Sequence, residues 1–200
     1  MSNADDVMAY SLGRIERLKM GDPWAVAMLA KLRRAAGKDV SETPEIWEFT
    51  LADLPENLSG YVKDREYMPS DGERAIHVAL TLYAIHAQGS QESPDERGIS
   101  LGAAVNKLVR IAGNNSEPIK RRFSAVATSS DLNELAHHLR GLVQLFKASG
   151  NIKMDYPKLA KDLYTFSFPD GRSNIMFHWA EDLFKNVKEN DESNETKEVN

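Results

Sequence analysis

The sequence predicts an all-α fold made of two small helical bundles, joined by a polar linker and followed by a disordered acidic tail. Three observations support this prediction. Apolar residues recur at spacings of three and four through most of the 200-residue chain, which is the period of a helix with one buried face. Ser, Asp or Pro precedes most of these stretches, and Gly follows several of them, as is typical of helix ends. No strand-like alternation of useful length interrupts the pattern.

The first bundle is predicted over residues 1–90. Asp22 and Pro23 have the arrangement of an N-cap and a first helical residue, and Gly37 is placed to end that helix. Ser70 and Glu73 form a capping box at the start of the last helix of this half. The segment is predicted to hold helices at about 5–20, 24–36, 44–51 and 70–88, with a loop and one short turn over 56–69.

A polar segment rich in Gly, Ser and Pro separates the halves, and we place a linker at residues 91–98. The second bundle is predicted over 99–188. The acidic residues 189–200 have almost no apolar groups to offset their ordering entropy and are predicted to be disordered. Predicted helices follow Ser100 and Ser116, then either Ser130 or Asp131, and then Asp155. A turn is predicted at 169–171, and a last helix is predicted from about 172 to 187.

The three tryptophans, Trp24, Trp47 and Trp179, lie within apolar helical stripes and are interpreted as core anchors. The chain has no apolar run of about 18 residues and no secretory pattern at its N-terminus, so we expect a cytoplasmic protein without membrane contact. The absence of cysteine excludes disulfides and thiolate metal sites.

The charge is distributed unevenly along the chain, whose net charge is −5. Residues 10–38 hold seven basic and two acidic residues, and residues 99–163 hold ten and five. Residues 39–97 instead hold four basic and thirteen acidic residues. Two basic blocks within an acidic protein predict a polyanionic partner, because clustering of charge matters more for such binding than the overall pI.

Helical geometry selects candidates within those blocks. The run Lys120, Arg121, Arg122 places three like charges side by side, an arrangement that favours a partner anion. Arg140 and Lys147 share one face of a helix with His137 and Gln144, away from its apolar stripe. Further cations outside apolar stripes are Lys31 and Arg34 on the second helix, Arg74 near the start of the fourth, and Lys107 and Arg110 on the fifth.

No pattern in the sequence indicates catalysis, a cofactor or a metal ion. The phosphate-binding loop GxxxxGK[ST], the dinucleotide fingerprint GxGxxG and the nucleophile elbow GxSxG are all missing. Five histidines remain, and their spacing provides no convergent ligand set, so we interpret them as ordinary surface or core residues. They are His77, His86, His137, His138 and His178.

The order of five segments resembles the CasB family, the small subunit of the type I-E CRISPR Cascade complex. The segments are GDPWAVAMLAKLRR, ERAIHVALTLYAIH, GISLGAAVNKLVR, IKRRF and LAHHLRGLVQLFK. The resemblance extends over about residues 10–185. It implies a non-catalytic, all-helical protein present as two head-to-tail copies among the other Cascade subunits. In that role it would support the guide RNA and target strand and hold the displaced DNA strand.

The resemblance also implies roles for particular basic residues. Matching motif positions assign nucleic-acid contacts to Arg34, Arg74, Arg121, Arg122 and Arg140. Helix-face geometry adds Lys31, Lys107, Arg110, Lys120 and Lys147 to that set. Positions that are often basic in similar proteins are here Ala127, Ser129 and Ser130.

Two other functions fit the residues. One is a sequence-specific helix-turn-helix regulator over residues 116–147, in which Arg121, Asn133 and His137 would read bases. The exposed groups are mostly cationic, with few of the Asn and Gln side chains that base reading favours. The other is a purely structural helical adaptor whose basic faces meet acidic protein surfaces.

Overall fold

The computed structural model describes residues 2–185 and confirms the all-α class. The predicted tail, 189–200, and the last residues of the predicted second bundle lie outside the described part. Within it the helices are α1 Asn3–Lys19, α2 Pro23–Ala35, α3 Pro44–Thr50, α4 Asp71–His86, α5 Leu101–Ala112, α6 Glu117–Ala127, α7 Leu132–Ala148, α8 Tyr156–Phe166 and α9 Pro169–Phe184. Short 3₁₀ helices span Val40–Glu42, Glu56–Leu58 and Gly113–Asn115.

Four helices, α2, α4, α5 and α8, start at the capping residues that the sequence predicts. The Ser70 hydroxyl accepts from the Glu73 amide at 3.0 Å, and the Glu73 carboxylate accepts from the Ser70 amide at 3.0 Å, which completes the capping box. Asp22, Ser100 and Asp155 cap α2, α5 and α8 through their side chains. Local sequence therefore determines these boundaries, because each cap satisfies amides that the helix itself leaves without partners.

The segment 56–69 was predicted as a loop with one short turn, and this is incomplete. After the 3₁₀ helix, strands β1 Tyr61–Lys63 and β2 Glu66–Met68 pair antiparallel as a hairpin. The turn residues Asp64 and Arg65 have φ of 52° and 70°, a conformation usually marked by Gly or Asn. The hairpin residues are exposed on both faces, so no hydrophobic alternation indicated strands.

The predicted turn at 169–171 is wrong, because these residues form the first turn of α9. Pro169 is at the start of the helix, where its missing N–H has no cost, and the Arg172 amide donates to the Phe168 carbonyl at 2.9 Å. A Cβ at Gly171 would collide with the Thr165 carbonyl. The glycine therefore allows close approach of α9 to the end of α8 and does not mark a turn.

Two of the three predicted tryptophan anchors are also wrong. Trp179 is fully buried, but Trp24 is 41% exposed and Trp47 is 39% exposed. Trp24 packs beneath the Arg17 guanidinium, 4.1 Å from the ring centre. The indole N–H of Trp47 donates to the Val40 carbonyl at 2.7 Å. Each indole covers the edge of the core and does not fill it.

The buried residues of both halves form one continuous cluster. Helix α4 lies at its centre, with nearly all of its residues buried, and α8 packs on both α1 and α4. The predicted linker joins in this packing. Asp95 accepts from the Tyr156 amide at 2.9 Å and from Lys19 Nζ at 2.7 Å. The division into bundles at residues 91–98 stays a prediction, while the helices of the two halves share a core.

Among residues 2–185, none of the helices combines the length and the apolar composition that a membrane span requires.

Candidate nucleic-acid interface

Helix α6 presents the basic run of the sequence. Its buried residues are Ile119, Phe123 and Val126, so the intervening positions 120–122 point outward and are exposed. Lys120 Nζ lies 2.8 Å from the Glu117 carboxylate, and this hydrogen bond lowers the pKa of Glu117. In the described part of the chain, no carboxylate lies within ion-pair distance of Arg121 or Arg122.

Helix α7 presents the second group of predicted residues. The Asp131 carboxylate caps the helix by accepting from the amides of Asn133 and Glu134, at 2.9 Å each. The predicted apolar stripe is buried and faces the core. His137, Arg140 and Gln144 are exposed along the opposite side, one turn apart.

A basic groove runs between α6 and α7. It has a volume of about 680 Å³, and its lining carries three arginines and two histidines but no carboxylate. The lining residues are Pro118, Arg121, Arg122, Ala125, His137, His138, Arg140, Gly141 and Gln144. Gly141 makes space in it, because a Cβ there would lie 3.2 Å from Nη1 of Arg122. Three of the five arginines implied by the family resemblance therefore lie together.

Arg140 connects this groove to the N-terminal basic block. Its Nη1 donates to the carbonyl of Ala36, directly after α2, at 3.4 Å. Arg34 is exposed on the last turn of α2, two residues before Ala36, and Lys31 is half-buried one turn earlier. The two basic blocks of the sequence, far apart along the chain, thus meet beside Arg140.

The structure places four other candidates outside the lining of the basic groove. Lys107 and Arg110 are exposed on α5. Lys147 lies at the far end of α7, with Nζ 3.3 Å from the side-chain oxygen of Gln88. Lys120 is exposed on α6 and ion-paired with Glu117.

Arg74 lies in a separate cleft of about 280 Å³ that it shares with Asp39, Asp71, Asp131 and Arg172. Burial alone would raise the pKa of Asp39, but hydrogen bonds from Ser41 and the charge of Arg74 hold this pKa below its ordinary value. Carboxylates surround Arg74, so this position offers a phosphate much less positive potential than the basic groove does.

Sequence reasoning missed a second cavity, which we call the side pocket. It opens beside the basic groove, has a volume of about 450 Å³, and shares His137 and Arg140 with that groove. Its other lining residues are Ala36, Gly37, Lys38, Asp39, Glu42, His77, Val78, Thr81, Leu82, Asn133 and Ala136. These come from three distant segments, so no local pattern in the sequence could have indicated the pocket.

The histidines form no ligand set. His77 and His86 are buried, and burial lowers the pKa of both, that of His86 to about 4. His86 Nδ1 lies 2.9 Å from the Tyr156 hydroxyl. His137 and His138 contact each other edge to face. Within residues 2–185, no three side chains of His, Cys, Asp or Glu are grouped to hold a metal ion.

The chain is similar to CRISPR-associated proteins both in sequence and in fold. A family model described as CRISPR-associated protein Cse2 matches residues 28–184. The crystal structure of CasB from Thermobifida fusca is 32% identical, with a TM-score of 0.74, over 89% of this chain and 97% of that chain. A Cse2-family CRISPR-associated protein from Thermus thermophilus is 21% identical, with a TM-score of 0.64, over 92% of this chain and 99% of that chain.

A chain of a solved structure described as a CRISPR RNA-guided surveillance complex has the same fold. It is 18% identical, with a TM-score of 0.68, over 96% of this chain and 99% of that chain. A search of curated proteins found no significant match.

Proposed function

Because this chain belongs to the CRISPR-associated Cse2 (CasB) family, we propose that it is the non-catalytic small subunit of a Cascade complex in antiviral defence. Its partners are the other Cascade subunits, the guide RNA, the target and displaced DNA strands, and a second copy of itself placed head to tail. The observation that carries the proposal is the basic groove, where Arg121, Arg122 and Arg140 converge in a lining without carboxylates.

The groove suits binding to a sugar-phosphate chain without sequence preference. A guanidinium offers two donors to one phosphate in a planar arrangement, and such contacts position a strand but do not read its bases. In an RNA-guided complex, base pairing with the guide supplies the sequence information. A supporting subunit therefore needs only the kind of contact that this groove provides.

Stabilisation of the open duplex follows from the same contacts. Exchange of a DNA duplex for a guide-target hybrid is nearly balanced in free energy. A few phosphate contacts to the displaced strand can therefore shift the equilibrium toward the open form. Arg34 and Lys31 extend the cationic surface along α2. We assign supporting contacts to Lys107, Arg110, Lys120 and Lys147, and the weakest contact to Arg74, which lies among carboxylates.

The test reverses the two unpaired charges of α6. The groove variant carries both Arg121→Glu and Arg122→Glu. The control variant carries Lys63→Glu and Lys185→Glu, which reverse two exposed cations outside the groove. We expect the groove variant to bind random single-stranded DNA about 100-fold more weakly, at about 1.4 kcal/mol per lost contact. Its salt slope should fall by about 1.4. The control pair should change neither quantity, and circular dichroism should show that both variants are folded.

Two outcomes would support the rival functions. Nanomolar preference for one duplex sequence at about 0.15 M salt would indicate a helix-turn-helix regulator. A structural adaptor would be indicated if the complex assembled with the groove variant binds DNA as tightly as the complex assembled with the unaltered subunit.

A further inference from the structure

The side pocket lies at the edge of the basic groove, and its lining differs in kind. Val78, Leu82 and Ala136 give it apolar walls, and Leu82 is almost fully buried. His77 also lines it, and both of its ring nitrogens are shielded from solvent. Its volume of about 450 Å³ falls in the range of small-molecule sites.

The charges of its lining distinguish it from the basic groove. Asp39 and Glu42 line the pocket together with two cations, Lys38 and Arg140, so it has no excess of positive charge to attract a phosphate, and its carboxylates can accept hydrogen bonds from an amine. Each carboxylate already accepts from the neighbouring 3₁₀ turn: Asp39 from Ser41, and Glu42 from the Asp39 amide at 2.9 Å. These bonds hold both side chains in place and leave acceptor positions on each, since a carboxylate offers about four.

The mouth of the pocket supplies planar and amide groups. Among the described residues, the exposed Asn133 side chain makes no hydrogen bond, and a primary amide can both donate to and accept from a base edge. His137, which lines both cavities, has a flat side chain of the kind on which unstacked bases pack.

Resting on the proposed function, we infer that the side pocket receives one unstacked base, bearing an exocyclic amine, from the strand held in the basic groove. Arg121, Arg122 and Arg140 hold the phosphates, and the base turns aside at His137 into the side pocket. There its amine donates to Asp39 or Glu42. Turning one base out of a single strand costs little, because no base pair has to be broken. Cytosine, adenine and guanine fit this description, and thymine and uracil lack the amine.

Oligo(dC) and oligo(dT) of equal length test the inference, because both are weakly stacked pyrimidine strands and only cytosine carries the amine. The full chain should bind oligo(dC) about fivefold more tightly than oligo(dT), the value of about one hydrogen bond. Ala136→Phe fills the pocket and should lower oligo(dC) affinity to that of oligo(dT), with oligo(dT) affinity and the salt slope unchanged. Ala148→Phe, at an exposed position on the same helix, is the control and should leave the preference intact.

A second variant decides the matter if Ala136→Phe does not fold. Asp39→Asn with Glu42→Gln keeps the size of both side chains but removes the two charges that are proposed to accept from the amine, and it should reduce the preference for oligo(dC). The base pocket would be overturned if the unaltered protein bound the two oligonucleotides with equal affinity. If that affinity still depended on Arg121 and Arg122, the proposed function would remain supported. If replacing Arg121 and Arg122 changes the affinity for neither oligonucleotide, both the proposed function and the base pocket are overturned.

Discussion

Arg140 donates from Nη1 to the main-chain carbonyl of Ala36 across 3.4 Å, and it lies where the basic groove and the side pocket meet. The carbonyl belongs to the C-terminal end of α2, the end of a helix that attracts cations. This contact restrains the guanidinium before any ligand arrives, so phosphate binding orders fewer bonds of the side chain. The arginine therefore links α7 to α2, and in the function that we propose it would be a preorganised ligand for phosphate.

Replacement of Arg140 by Lys separates charge from geometry. Lysine keeps the positive charge but loses the planar pair of donors that grips one phosphate. We expect Arg140→Lys to bind single-stranded DNA a few-fold more weakly with an unchanged salt slope. Arg140→Ala should bind about tenfold more weakly, with a slope lower by about 0.7. Titrations at several salt concentrations measure both quantities, and equal behaviour of the two variants would contradict the geometric role.

Glu117 limits the charge that α6 offers, because it holds Lys120 at 2.8 Å. Glu117→Gln should release Lys120 and strengthen DNA binding two- to fivefold at about 0.1 M salt, with the gain lost near 1 M as screening increases. Glu181→Gln on α9 removes the same charge from an exposed position outside the groove and controls for net charge. An equal gain in the control would show that long-range potential, and not Lys120, causes the effect.

Local chemistry explains why so much of the helical framework could be predicted. Ser70, Ser100 and Asp155 each cap the helix expected of them, because capping depends on residues within one turn. The outward direction of Arg121 and Arg140 likewise follows from helical period alone. The resemblance to the CasB family, drawn from motif order, is confirmed by the family match and by the structural comparison.

Features that depend on distant contacts could not be predicted. Gly102 belongs to the GISLG segment, and a Cβ there would collide with the Trp179 carbonyl, so the glycine allows α5 to approach α9. Only the fold brings these residues together. The side pocket depends in the same way on three segments. The exposed Trp24 and Trp47 show that an aromatic residue in an apolar stripe can lie at the rim of a core.

His86 should make stability depend on pH. Burial, with a smaller contribution from the charge of Lys147, lowers its pKa to about 4, against about 6.5 in the unfolded chain. The unfolded state therefore binds more protons between these values, and stability is complete above pH 6.5 and falls as the pH drops toward 4. The loss attributable to this group is about 3 kcal/mol.

Denaturant titrations at pH 7.5, 5.5 and 4.5 test this dependence. His86→Gln keeps a group able to pair with the Tyr156 hydroxyl but does not titrate, so its stability should fall less over the same range. His77, whose pKa burial also lowers, leaves a residual slope. The exposed His178→Gln variant should behave as the unaltered protein does. An identical slope in His86→Gln would show that His86 does not cause the pH dependence.

Lys19 and Asp95 form an ion pair that ties the predicted linker to α1. The Asp95 side chain is 1% exposed, and it accepts from Lys19 Nζ at 2.7 Å and from the Tyr156 amide at 2.9 Å. Lys19→Met removes the cation and leaves a buried carboxylate without a counterion, which costs about 3–5 kcal/mol. The free energy of unfolding should fall by that amount in denaturant titrations.

A second substitution identifies the cause of that loss. Asp95→Asn in the Lys19→Met background should recover part of the lost stability, because an amide needs no counterion and its oxygen can still accept from Tyr156. Lys153→Met breaks the solvent-accessible ion pairs of Lys153 with Glu92 and Glu96 and should cost less than about 1 kcal/mol. If residues 91–98 are only a flexible tether, Lys19→Met will cost as little as this control. A large loss within one cooperative transition will instead mean that the segment is an integral part of a single folding unit.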